Sequence, residues 1–202
     1  EKVGERRKVF CASMADVFED HPSVWDSRQR LWDLISETPA LDWLLLTKRP
    51  ENVMQMVPMD WTVPGQWPAY VWLGTSVENQ AAADERIPHL LNTPAVVRFL
   101  SCEPLLGRVI LWAYDEDEGA LRGPGVVISG GMTPSTPDYP PEGYDDSYPG
   151  IDWVIVGGES GPKHRPMDLP AALDIVDQCK AAGIAVYTKQ DSGMYPGRQG
   201  RI

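Results

Sequence analysis

Polar and charged side chains recur in this chain directly after short apolar runs, and their types suit the handling of a small charged ligand. They are Ser13 and Asp16, Lys48 and Arg49, Ser76, Glu78 and Asn79, Ser101 and Glu103, Glu159 and Ser160, and Lys189 and Gln190. A carboxylate such as Glu103, fixed by the Pro104 that follows it, could contact a ribose, an amine or a proton in transit. Glu159 could bind hydroxyls or an ammonium group. Leu46-Thr47-Lys48-Arg49-Pro50 sets two cations side by side, a grip for a carboxylate or phosphate, and His164-Arg165 could add a second. Plainer readings stand beside these: Glu78 and Asn79 cap a helix, and Lys48 and Arg49 are solvated. We expect Glu103 and Glu159 to face one pocket together with Lys48.

Several stronger signatures are missing. Val156-Gly157-Gly158-Glu159-Ser160-Gly161-Pro162 has the glycines that let a ligand approach the backbone, yet it lacks the Lys and Ser/Thr of a phosphate-binding loop and suits a tight turn equally. Cys11, Cys102 and Cys179 form no Cys-x-x-Cys pair, so buried free thiols are expected rather than a zinc ribbon or disulfide framework. His21, His89 and His164 have no metal-ligand spacing, and no metal site is expected from them. Of the eight tryptophans, Trp25, Trp32, Trp43, Trp72 and Trp153 fit core faces. Trp61, Trp67 and Trp112 sit in loop-like surroundings, where they could line a pocket or stack on a base, a weak nucleic-acid signal without interleaved basic residues.

The elements that must position these groups follow from periodicity. Apolar runs at Lys8–Ala12, Trp43–Thr47, Tyr70–Thr75, Val96–Ser101, Trp153–Val156 and Ala185–Lys189 are continuous rather than alternating, which predicts strands buried on both faces, as in parallel sheets. Helical patterns fall between them at Val24–Glu37, Asn79–Leu91 and Leu169–Ala182. The first has Val24, Leu31, Trp32, Leu34 and Ile35 as its apolar set, and Gly183 stands at the C′ position of the last. The strands recur about every 30 residues, the period of βαβ units. No Gly-x-Gly-x-x-Gly follows the first strand, so the expected fold is α/β, with parallel (β/α) repeats in a complete or partial TIM-like barrel. The polar groups then share its C-terminal mouth.

The chain has 202 residues and a formal charge of -11, opposite to the basic footprint that non-specific nucleic-acid binding requires. Residues 113–150 hold eight of the acids, a single Arg and thirteen Gly or Pro, which predicts a surface insertion with a short strand at Val126–Ile128. The rest, within 1–202, is expected to be one barrel-like domain. No apolar stretch has membrane-spanning length, and the start, Glu1 onward, has no signal-peptide core, so a soluble cytoplasmic protein is expected. Starting at Glu1 rather than Met, the chain also reads as a piece of a longer protein.

The strings VFCASMADVFED, LDWLLLTKRPENV, VWLGTSVENQ, VRFLSCEPLLG, IDWVIVGGESG and TKQ resemble a family of conserved phage-associated proteins of unassigned function. That family occurs in bacteriophages, prophages and actinobacteria and is similar to radical S-adenosylmethionine (SAM) enzymes. The resemblance covers nearly all of the chain outside the insertion. It implies a radical-SAM-like barrel in the cytoplasm of a bacterial host cell. SAM would lie across the strand ends, held by Ser13, Asp16, Lys48, Glu78, Ser101, Glu103, Glu159, Lys189 and Gln190. Family members carry a Gly-Cys and Cys-x-x-Cys-Tyr-Ala segment upstream, resembling a 4Fe-4S cluster loop. This sequence holds none, and its own cysteines do not replace that compact spacing. Either an N-terminal part is missing or this member has lost the cluster. The implied reaction is hydrogen abstraction by an adenosyl radical from a nucleobase or nucleotide. The competing expectation is a non-catalytic protein whose acidic insertion, with Tyr139, Tyr144 and Tyr148, binds a host or partner protein; a SAM- or nucleotide-binding protein without redox chemistry is a third.

Overall fold

The computed structural model describes residues 6–11, 15–111, 113–115, 120–122 and 150–194. Every expected apolar run is a strand, shifted by at most two residues at an end: β1 (Arg7–Cys11), β2 (Leu41–Thr47), β3 (Val71–Ser76) and β4 (Val97–Cys102), then β7 (Trp153–Val156) and β8 (Ala185–Thr188) after a short hairpin of β5 (Ala113–Asp115) and β6 (Ala120–Arg122). The six form one parallel sheet in the order β1-β2-β3-β4-β7-β8, while β5 and β6 pair antiparallel in a sheet of their own. Only the hairpin part of the insertion is described. The strand expected at 126–128, Trp112 and the three insertion tyrosines lie outside the described residues.

Among the described residues β1 and β8 each pair with one neighbour, so the sheet is open. It is also curled. Phe10 on β1 and Phe99 on β4 are three strands apart, about 14 Å in a flat sheet, yet their ring centroids lie 6.1 Å apart. Trp72 on β3 reaches Trp153 on β7 at 6.1 Å in the same way. The result is a half-barrel rather than a complete one.

The two faces of the curl are packed differently. Period-two alternation sends Trp43, Leu45, Leu73, Leu100, Val154 and Val156 to the convex side, where they form the main core with the long helices α1 (Pro22–Glu37), α3 (Gln80–Leu91) and α4 (Leu169–Ala181) and the single turn α2 (Val53–Met56). The concave side carries the smaller cluster of Leu44, Phe99 and Ile155, flanked by Leu46, Trp72 and Trp153. Trp72 and Trp153 therefore face the lumen. Gly74 makes that lumen possible: a Cβ there would lie 2.5 Å from Phe99 Cζ, so the glycine is the space the buried Phe99 ring occupies.

Each long helix starts on a side-chain cap. The His21 ring accepts from Ser23 N at 3.2 Å, Asn79 Oδ1 from Ala82 N at 3.0 Å, and Asp168 Oδ1 from Ala171 N at 3.1 Å. Gly183, at φ +67°, ends α4 as expected. Two expected core positions are wrong: Trp25 is 53% exposed and Leu34 45%, because α1 buries the stripe through Trp32 and Ile35 instead. Trp61 and Trp67 are corrected in the other direction. They are core residues, reached through a chain of rings in which Trp32 meets Trp61 at 5.4 Å and Trp61 meets Trp67 at 5.5 Å. Trp67 Nε1 donates to Val71 O at 2.7 Å, so the loop carries its own buried anchor.

Candidate ligand-binding site

Among the described residues, polar groups of the strand ends line two cavities. The lumen holds a cavity of about 650 Å³. Its wall is apolar and aromatic, with Phe10, Leu46, Trp153, Ile155 and Tyr187, and its rim carries Ser101, Glu103 and Lys189. Lys189 Nζ donates to Glu103 Oε2 at 2.9 Å, and Gln190 Nε2 reaches Glu103 Oε1 at 3.5 Å. Gly157 leaves room for this pair: a Cβ there would meet Glu103 Oε1 at 3.2 Å and Lys189 Cβ at 3.3 Å. An acid and a base thus stand joined at the edge of an aromatic trough. That arrangement can stack a planar ring and hydrogen-bond a polar head.

A second cavity of about 410 Å³ lies over the ends of β2 and β3, lined by Lys48, Glu78, Glu85, Arg86 and Arg165 among others. Glu78 is 8% exposed and accepts from both Lys48 Nζ and, at 2.8 Å, Arg86 Nη1. Burial alone would raise its pKa, but the Lys48 hydrogen bond and the charges of Arg86 and Lys48 outweigh it and hold the carboxyl below its ordinary value. Leu106 N donates to Glu78 O at 2.8 Å, so the loop after β4 runs between the two cavities, Glu103 on one side and Leu106 on the other.

The other expected ligands have structural employment. Asp16 accepts from Thr47 Oγ1 at 2.7 Å, Lys48 N at 2.9 Å and Arg49 Nη1 at 2.9 Å, tying the loop after β1 to the end of β2. Glu159 takes a bidentate contact from Arg165, Nε at 3.0 Å and Nη2 at 3.0 Å, and its carboxyl is held down to about 2 by that hydrogen bonding and by the Arg165 amide. Among the described cavities, Glu103 and Lys48 line different ones, and Glu159 is joined to the second through Arg165. The glycines of the Gly157–Gly161 turn likewise admit backbone rather than ligand at Gly158, where a Cβ would fall 2.5 Å from the Asp191 carbonyl carbon. Gly158 N donates to Gln190 O at 2.7 Å, and Gly161 and Gly193 continue the zipper. Ser13 lies outside the described residues.

Cys102 and Cys179 are fully buried, Cys11 partly. Burial pushes all three thiols up, Cys179 to about 12 and Cys102 further.

A family model described as protein of unknown function (DUF5131) matches residues 1–199. The chain belongs to the DUF5131 family. No curated protein and no solved structure matches it. No helix among the described residues of this DUF5131 chain is long and apolar enough to cross a membrane. The aromatic wall of Phe10, Trp153 and Tyr187 and, in the second cavity, Glu85 and Arg86 escaped the reading of the sequence. Tyr187 could have been found, since alternation along β8 puts it on the face of Lys189. Arg86 could not, because its partnership with Glu78 depends on where α3 packs.

Proposed function

We propose that this DUF5131 chain binds a small molecule with a planar ring and a polar, hydrogen-bonding head in the lumen of the half-barrel, as a radical-SAM-like protein of phage or prophage origin would bind SAM. The observation that carries the reading is the aromatic trough of Phe10, Trp153 and Tyr187 ending in the joined pair Glu103 and Lys189 at the strand ends. An adenine-sized ring suits the wall. Ribose hydroxyls or an ammonium group suit Glu103 with Ser101, and a carboxylate suits Lys189 with Gln190. Bound SAM would supply an adenosyl group. The chain's part is to stack the ring, orient the head and shut water from the trough. Radical chemistry on a nucleobase or nucleotide would need an iron–sulfur cluster, and the spacing of Cys11, Cys102 and Cys179 does not replace a compact cluster loop.

Calorimetric titration with SAM and with adenosine tests the reading. Saturable binding should weaken in Glu103→Ala by about 10–100-fold, the worth of a charge-assisted hydrogen bond of ~1.5–3 kcal/mol. Absence of binding, or equal binding by wild type and Glu103→Ala, would refute it.

A further inference from the structure

The second cavity has a chemistry that the lumen does not use. Three cations, Lys48, Arg86 and Arg165, line it against two carboxylates, Glu78 and Glu85, in a chain whose formal charge is -11. One buried carboxylate, Glu78, serves two of those cations at once, and the partner of the third, Glu159, sits in the adjoining loop. Arg86 is fixed, donating to Glu78 Oε2 and Ser76 O at 2.8 Å each. Lys48 and Arg165 are paired too, with Glu78 and Glu159, but nearer to solvent. Their side chains are 55% and 56% exposed, so both can turn toward an arriving anion while Arg86 holds its place. The first turn of α3 adjoins the same cavity and contains no acidic residue. Its cap Asn79 satisfies Ala82 N, and the amides of Gln80 and Ala81 have no intrahelical acceptor.

We infer that this cavity binds a phosphate group, with Arg86 as the fixed arm of the grip and Lys48 and Arg165 closing on the phosphate oxygens. Guanidinium groups present paired donors that suit the oxygens of a dianion, which would take the place of the Glu159 carboxylate on Arg165. The site is separate from the lumen, divided from it by the loop after β4, so it takes a phosphorylated second ligand or the phosphate end of one.

The test is a titration of the chain with inorganic phosphate, and with acetate at matched ionic strength, followed by amide cross-peaks. Phosphate should move Gln80, Ala81 and Arg165 saturably, on the order of millimolar, and more tightly than acetate. Lys48→Gln with Arg165→Gln should weaken phosphate by about tenfold or more. Both side chains are exposed, and unchanged dispersion of the remaining cross-peaks confirms that the double variant is folded. No saturable shift, equal response to acetate, or equal response in the double variant would overturn the inference. Ser101 and Tyr187 report the lumen separately, so failure at one cavity is distinguishable from failure at the other.

Discussion

Single residues set the shape of the half-barrel and the charge of its mouth. Gly74 is the clearest: its missing Cβ is the volume that Phe99 fills, so Gly74→Ala forces the ring or β3 to move. Overpacking of this kind costs about 1–3 kcal/mol, and urea denaturation should show a lower midpoint with little change in slope. Phe99→Leu combined with Gly74→Ala should recover part of the loss. Glu78 works through charge. Its carboxyl titrates below its ordinary value of 4.5 in the folded chain, so the stability it contributes is complete above that value and drains away as pH falls through the lower folded pKa. Glu159, held to about 2, acts in the same direction over the window between about 4.5 and about 2. Acid denaturation should therefore be shallower below pH 4.5 in Glu78→Gln than in the parent. Stability of Glu78→Gln at pH 7 should be lower, because Lys48 and Arg86 lose the anion between them. Identical pH profiles for the two proteins would contradict this account of the cluster.

At the scale of elements, the loops after β7 and β8 behave as one unit because Gly158 lies against the backbone of Asp191 and Ser192. A Cβ at Gly158 has no flexible side chain to push aside, so Gly158→Ala should separate the loops and displace Lys189 and Gln190 from Glu103. Hydrogen exchange at the Gly193 amide, which donates to Glu159 O, should quicken while α1 amides keep their protection. The segment from 50 to 68 makes a second case. Trp61→Ala should cost about 3–5 kcal/mol, as loss of a buried ring does, because Trp61 bridges Trp32 and Trp67. These two regions also mark how far the sequence speaks. The six strands were readable because each is an unbroken apolar run, and α3 and α4 because their periodicity and end residues agree. The Trp61 segment carries no period, being built of short turns that pack on Trp32 of α1 and on α3. The role of Gly158 was hidden for a related reason: its neighbour is some 30 residues away, and glycine spacing alone cannot tell a ligand from backbone. Likewise the polar strand ends were legible as a set. Their division into Glu103 with Lys189 and Glu78 with Lys48 and Arg86 depends on contacts between distant segments.

Taken as a whole, the chain is a curled parallel sheet with helices packed on its convex side and an aromatic lumen on the other, where Phe10 is 42% and Tyr187 55% exposed. Aromatic rings left open on an inward face, beneath an acid-base pair, are the feature that the proposed function explains. The ion pairs Lys48 with Glu78, Arg165 with Glu159 and Lys189 with Glu103 each have a member lining one of the two cavities. The most direct test follows the indole cross-peaks of the chain during a titration with adenosine. Trp153, in the wall of the lumen, should move saturably, while Trp61 and Trp67, buried beneath α1, should stay in place. If Trp153 is unmoved at saturating ligand, or all three indoles shift alike, the half-barrel lumen is not the binding site.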